Sequence, residues 1–372
     1  MPLCPATCIA LRGAIMRPIL QRLYIFTVLA LAPAHGLTVG LGADGDWSEL
    51  DREVEALAAS LLAEGGGVGL FGRVQSAYLA SNDLPGGLGG FGVADARLGI
   101  MGARNGYEYR LEVDFADDWS SGSLGLLDAQ ASFALTDTVT ATLGLFQPKI
   151  SSNGLLDEGS MAFLNHSVIG TALAARDEGL MLQGTLSDVD WALCIMNGLD
   201  GPGDEALTSL RVSMDLTPNE YNRSGRPTEG AYGGSEEISA LAALAMVEDR
   251  GNPGSDLALA EFRAGSGSWS LAFDAADVGS AGFTSLADNL SGFLAQDTNP
   301  YSASLTLMVR ETWELALRVQ DFDLVGLRQN DVALNHYLSG HDIKWTLGVT
   351  QLQSDVAGLN TDLWGFALNV GF

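Results

Sequence analysis

From Gly67 to its last residue the chain alternates apolar and polar side chains with a period of two, and that period confines it to β-structure. The clearest stretch is Tyr107-Glu-Tyr-Arg-Leu-Glu-Val-Asp-Phe115. Tyr107, Tyr109, Leu111, Val113 and Phe115 share one face, and Glu108, Arg110, Glu112 and Asp114 the other. Such a strand suits a soluble sandwich, or a barrel with lipid outside and water inside. Sixteen segments carry the pattern: 68–80, 94–103, 107–116, 126–135, 138–147, 179–187, 189–198, 206–217, 238–247, 256–265, 268–277, 302–310, 313–321, 331–338, 342–352 and 361–372. The number is even, and most segments reach the roughly 9–11 tilted residues that cross a bilayer.

The connections alternate in length. Arg104-Asn-Gly106, Asp137, Ser187-Asp188, Gly265-Ser-Gly267, Glu311-Thr312 and Ser339-Gly-His341 are short; 81–93, 117–125, 148–178, 278–301 and 353–360 are long, with 199–205, 248–255 and 322–330 between. Tight turns at one end and long loops at the other are the arrangement of an outer-membrane barrel. One connection, 218–237, stands where a short turn is due: either a strand is misplaced there or the turn carries an insertion. Trp191, Trp269, Trp313 and Trp345 each follow a short turn, with Tyr107 in the same position, as in an aromatic belt at one membrane interface. The last segment puts Trp364, Phe366, Leu368, Val370 and Phe372 on one face and ends on the aromatic. The fold expected is all-β: a 16-stranded antiparallel transmembrane β-barrel over 67–372, preceded by a short helix.

The N-terminus reads as an export leader. Residues 1–34 hold no acid and three arginines, Arg12, Arg17 and Arg22, then an apolar stretch from Leu23 and a small-residue Ala32-Pro33-Ala34 site. Met16 offers a second start that gives a leader of ordinary length. Cleavage removes Cys4 and Cys8 and leaves Cys194, so no internal disulfide forms in the mature chain. Within 35–66, a periplasmic segment, Trp47, Leu50, Val54, Leu57 and Leu61 mark a helix over 46–64, stopped by Gly65-Gly-Gly67. It serves either as a surface helix or as a short coiled coil between subunits. With 19 Lys plus Arg against 46 Asp plus Glu, a net charge of −27, the chain has no footprint for nucleic acid.

Residues 72–198 resemble the outer-membrane porin family of the phosphate-selective porins O and P. The resemblance rests on Gly72-Arg-Val-Gln75, Ala96-Arg-Leu-Gly-Ile-Met-Gly102, Tyr107 to Phe115, Leu145-Phe-Gln-Pro-Lys149, Phe163-Leu-Asn-His-Ser167, Arg176-Asp-Glu-Gly179 and Met196-Asn-Gly198. Trp313-Glu-Leu-Ala-Leu-Arg318 and Asn335-His-Tyr-Leu-Ser-Gly-His-Asp-Ile-Lys344 extend it, and 218–300 matches least. It implies a sixteen-stranded barrel, a homotrimer in the outer-membrane lipid of a Gram-negative-type bacterium, and a pore narrowed by the third long loop, here 148–178.

Arg or Lys on the lipid face costs about 2–4 kcal/mol at mid-depth, so the charged parity of each strand faces the lumen. This turns Arg73, Arg97, Arg110, Arg211, Arg310, Arg318 and Lys344 inward, with Asp95, Glu108, Glu112, Asp114, Asp128, Asp190, Asp274 and Glu314. Lys149, Asp157, Glu158, His166, Arg176 and Asp177 fall to the constriction loop. Arg73, Arg97 and Arg110 lie on consecutive strands at similar depth, and Asp157 and Glu158 opposite them would set a transverse field across the constriction. Phosphate capture needs a cluster of cations, whereas the mature chain has two lysines, Lys149 and Lys344, and acidic loops repel anions at the mouth.

Other chemistry finds little support. His166-Ser167, His336 and His341 offer a Ser/His pair that reads better as polar loop or lumen residues. No His or Cys falls at zinc spacing. The acidic turns around Asp200 and Glu248 lack the calcium-loop pattern, and Gly86-Gly-Leu-Gly-Gly90 lacks the Lys-Ser/Thr of a phosphate cradle. The expectation is a porin for passive diffusion of small hydrophilic solutes and ions, mildly cation-preferring, without cofactor, metal or catalytic residue. The rivals are a phosphate- or anion-selective porin and a non-conducting structural or adhesive β-protein.

Overall fold

A computed structural model describes residues 67–81, 88–116, 125–198, 206–217, 229–251, 254–284, 293–324, 326–355 and 360–372. The leader and the helix read over 46–64 lie outside them. The strands are β1 (Val68–Ser81), β2 (Leu88–Arg104), β3 (Tyr107–Asp114), β4 (Gly125–Thr136), β5 (Val139–Phe146), β6 (Asp177–Leu186), β7 (Val189–Met196), β8 (Leu207–Asp215) and β9 (Ser239–Asp249). They continue with β10 (Asp256–Ser266), β11 (Trp269–Val278), the short β12 (Phe283–Thr284) and β13 (Phe293–Leu294), then β14 (Tyr301–Arg310), β15 (Trp313–Asp321), β16 (Arg328–Ser339), β17 (Ile343–Gln353) and β18 (Thr361–Gly371). Sixteen of them form one closed antiparallel barrel, and β12 and β13 make a separate hairpin.

The barrel closes where β1 pairs with β18, from Arg73 opposite Gly371 to Ser81 opposite Leu363. Backbone bonds from Gly72 N to Phe372 O (3.1 Å) and from Phe372 N to Gly72 O (3.0 Å) finish the seam at the terminal aromatic. Closure leaves no strand edge unpaired, which is what a sheet in lipid requires. All the short connections lie at one end. The tightest turns place Asn105, Gly106 and Ser187 at positive φ (54°, 86° and 57°), the geometry that two-residue hairpins demand.

Alternation sorts the side chains as the sequence indicates. Leu98, Ile100, Leu111, Leu143, Leu210, Met246, Phe273, Leu317, Val332, Leu347 and Trp364 stand exposed on the outside. At the turn end Trp313 stacks on His336 (4.3 Å between ring centres) and meets Trp345 edge-on (5.2 Å), a band of amphipathic rings. Several strands start earlier than their alternation, β6 at Asp177 and β16 at Arg328 by a few residues and β2 by the most. β2 begins at Leu88, not at 94, because Gly89-Gly-Phe-Gly92 reads as loop yet pairs with β1, and the Phe91 ring lies 5.0 Å from that of Tyr78.

The interior differs from a plain polar lumen. Loop 147–176 folds inward and carries a short helix, α1 (Val168–Leu173), capped by Ser167, whose Oγ accepts from Gly170 N at 3.0 Å. Ile169, Ala172 and Leu173 pack with Phe146 and Ile150 onto an apolar bed of Met196, Leu207, Val247, Leu257, Leu259 and Val278. Phe283 and Leu294 of the hairpin complete this cluster. Each such buried side chain contributes about 1.5–3 kcal/mol, enough to hold a loop inside the barrel without covalent help.

Candidate functional site

The inward loop begins after β5, and Arg176 is its last residue; Asp177, expected in the loop, opens β6. There the Asp177 carboxylate accepts from Glu178 N (2.7 Å) and Gly198 N (2.8 Å), tying two strand ends at the loop rim. The loop crosses the lumen and meets the wall in three places, each built from alternating charged positions of the strands.

At the first, β1 and β2 present Arg73 and Arg97. Arg73 bonds Asp95 through Nε (2.6 Å) and pairs with both Asp157 and Glu158 of the loop. Arg97 reaches Glu158 at 2.8 Å and Asp95 at 2.6 Å, with Asp114 at 3.6 Å. The expected cations and anions therefore touch. They form a clamp that fastens the loop to the wall instead of facing each other across water. Burial disfavours the Glu158 carboxylate's charge, but Arg97 and Arg73 outweigh it and hold its pKa below the usual carboxylate range. Arg110, third of the series, stands aside: it bonds Asp128 (2.8 Å) and Glu112 (2.5 Å) and lies over the Phe71 ring. Arg176 shares Asp128 at 2.9 Å.

At the second, Arg211 of β8 pairs with Glu261 of β10 and donates to Ile150 O (2.7 Å) and Ser152 Oγ (2.8 Å). Glu261 also accepts from Ser152 N at 2.7 Å, and beside it Arg263 binds Asp274 at 2.6 Å. Glu261 and Arg263 are not among the residues expected at the site, although alternation gives them an inward parity as plain as that of Arg211.

At the third, Arg318 of β15, buried to the last atom, donates to Asp331 (2.9 Å) and Asn165 O (3.0 Å) and lies over the Phe163 ring. Gln320 accepts from Val168 N (2.7 Å), Asn335 donates to Ala162 O (2.9 Å), and Lys344 donates to Met161 O. Glu314 accepts from Tyr337 Oη at 2.5 Å and from Ala231 N at 2.5 Å. His166 and Ser167 serve structure: His166 Nδ1 lies 2.8 Å from Asn153 O, and Ser167 Oγ donates to Asn153 Oδ1 at 3.0 Å. Desolvation holds the His166 imidazole below its ordinary pKa, against the pull of Glu158.

Glu108 and Arg310 stand exposed at the turn end, Arg310 beyond a bulge after Met308, and Lys149 is exposed at the root of the loop. Asn153, Asp331, Gln320 and Asn335 were not expected at the site. Asp331 and Asn335 carry the inward parity of their strand, whereas Asn153 lies in a loop where parity gives no signal.

The long connection before β9 is an insertion, not a misplaced strand. Its described part, 229–238, turns back into the lumen. Glu229 accepts there from Asn153 Nδ2 (3.1 Å) and Ala162 N (3.1 Å), and Tyr232 stacks on Tyr337 with ring centres 3.8 Å apart. Among the described residues no group of three or more His, Cys, Asp or Glu is placed to hold a metal ion.

No protein-family model matches the sequence, and no curated protein does. Solved structures do. An anion-selective porin from Comamonas acidovorans superposes with a TM-score of 0.56 at 15% identity, covering 82% of this chain and all of its own. A mutant of the Rh. blastica porin gives 0.51 at 12%, with the same coverage. A loop-deletion mutant of OmpT, an outer membrane protein of Vibrio cholerae, gives 0.52 at 11% and covers 82% of this chain and 99% of its own. At these identities the likeness concerns the fold: this chain has the sixteen-stranded barrel of bacterial porins, with an inward loop clamped to its wall by buried charge.

Proposed function

We propose that the protein is an outer-membrane channel for passive diffusion of small hydrophilic solutes and ions, exported by a cleaved leader and assembled as a homotrimer. The observation that carries this reading is the pairing of an apolar outer wall with an inner wall whose charges hold a loop across the lumen. An adhesive or structural barrel has no need of a loop held inside it.

Cations pass more readily in this reading. Arg73, Arg97, Arg110, Arg211, Arg263 and Arg318 each have a carboxylate partner, so none stands as a bare anion ligand. Phosphate capture, which needs several unneutralised donors, gains no support from such pairs. The net charge of −27 adds cation enrichment at the mouths, within about 10 Å at 0.1 M salt. Conductance of the purified protein in planar bilayers, with zero-current potentials under a KCl gradient, tests both parts. Ion-conducting steps with a potential of cation sign are expected; a chloride-selective channel blocked by phosphate restores the anion reading, and absent conductance ends the channel reading.

A further inference from the structure

Exposure along the inner wall is lopsided. On β9–β11 and β15–β17 the inward side chains are buried along almost their whole length, and most of those on β14, β18 and β1 are too, among them Ser270, Ser304, Thr306 and Asn369, with Phe71 and Met308 half-buried at the turn end. On β3–β8 the inward side chains near the long loops are buried too, as at Asp128 and Met196. Toward the turn end they open: Glu108 and Ala134 are exposed, and Ser132, Thr140 and Asp190 half-buried. What covers the opposite wall at that end is the re-entrant segment after β8. Glu229 N donates to Ser160 O (3.1 Å), Ser270 Oγ donates to Glu229 O (2.8 Å), and Ala231 N donates to Glu314. His341 sits against Tyr232 with its Nε2 3.3 Å from Tyr232 O.

The segment is built to stay. Glu229 is 5% and Ala231 2% exposed, and the bond to Ser160 O fastens it to the constriction loop as well as to the wall. Gly230 has no room for a side chain, since a Cβ there would lie 2.6 Å from both Glu314 oxygens. Buried polar groups with partners on two elements hold those elements in one arrangement.

We propose that Glu229–Tyr232 forms a second constriction that seals the turn-end lumen along β11 and β14–β16 and confines solute to a lane lined by β3–β8. The proposal rests on the channel reading, which it refines by assigning the lane. The lane carries Glu108 and Asp190 against Arg110, a polar and acid-leaning surface that suits hydrated cations and small neutral solutes.

Charged methanethiosulfonate reagents on single cysteines test it in full-length protein with Cys4, Cys8 and Cys194 replaced by Ser. Ser132→Cys and Thr140→Cys should react fast and lose conductance on reaction. Ser304→Cys should stay unreacted, then become reactive when Tyr232→Ala and Glu229→Gln are added. Reaction read by mass on the folded barrel in detergent needs no current, so it judges the lane even where conductance fails. Fast reaction of Ser304→Cys beside an intact segment, or protection of Ser132→Cys and Thr140→Cys, overturns the proposal. A barrel that shows the expected reaction pattern yet never conducts upholds the sealed wall and overturns the channel reading alone.

Discussion

Arg318 shows what one residue does here. Its guanidinium has no exposed surface, and its bond to Asp331 joins a barrel strand to a site where the loop backbone at Asn165 also docks. Arg318→Met keeps the bulk but strands a buried carboxylate, and breaking a buried pair in this way costs about 3–5 kcal/mol. The heat-modified gel shift of the detergent-folded barrel should move to lower temperature, with Arg328→Met, an exposed pair with Asp321, as the unaffected control. Glu158 makes the complementary case for pH. Its pKa is depressed by Arg97 and Arg73, so its contribution is fully present above the unfolded carboxylate value, about 4.3, and fades as pH falls through the lower folded value. Conductance and unfolding temperature should therefore show no loss of the clamp between pH 7 and pH 5. Glu158→Gln, neutral at every pH, should loosen the loop even at pH 7; a wild-type transition near pH 5 to 6 would place the clamp on another group.

The elements were legible to different degrees. All sixteen barrel strands could be read, because lipid outside and charge inside impose opposite chemistry on alternate residues. The start of β2 could not, since its glycines carry no parity. The apolar bed under α1 was legible but unread. In Asp256-Leu-Ala-Leu-Ala-Glu-Phe-Arg263 the leucines share parity with Glu261 and Arg263, which places Leu257 and Leu259 inside and the alanines outside. Large apolar residues on the charged parity signal an inner wall that something covers. The loop's fit depends on absent side chains as well: Leu164 sits in a notch made by Gly348 and Gly365, where an added Cβ would lie 2.7 and 2.3 Å from its Cδ1. Gly365→Ala should lift the loop, raising conductance and costing about 1–3 kcal/mol of stability, the usual penalty of overpacking. Adding Leu164→Ala should return both toward the starting values. If Gly365→Ala alone changes neither, the loop is not held by that notch.

At the scale of the whole molecule, one end carries tight turns and the other the long loops, and the odd connection between β8 and β9 lies at the turn end. That asymmetry follows from the sequence, but the re-entry of 229–232 does not: a stretch of Glu, Gly, Ala and Tyr gives no periodic signal, and its partners, Asn153, Ser160, Ser270, Glu314 and Tyr337, are scattered along the chain. Long-range hydrogen bonding of this type is set by the closed barrel, not by local pattern. The orientation in the membrane is a consequence that can be measured. Outer-membrane barrels carry short turns on the periplasmic side and longer loops outside, so the turns here should face the periplasm and the long loops the exterior. Asn105 lies in a tight turn, while Asp297, exposed, lies in the connection that carries β12 and β13. With Cys194 replaced by Ser, a membrane-impermeant maleimide on intact cells should label Asp297→Cys and leave Asn105→Cys untouched until the outer membrane is breached. Labelling of Asn105→Cys alone on intact cells would invert the barrel, and would put the segment 229–232 at the outer mouth.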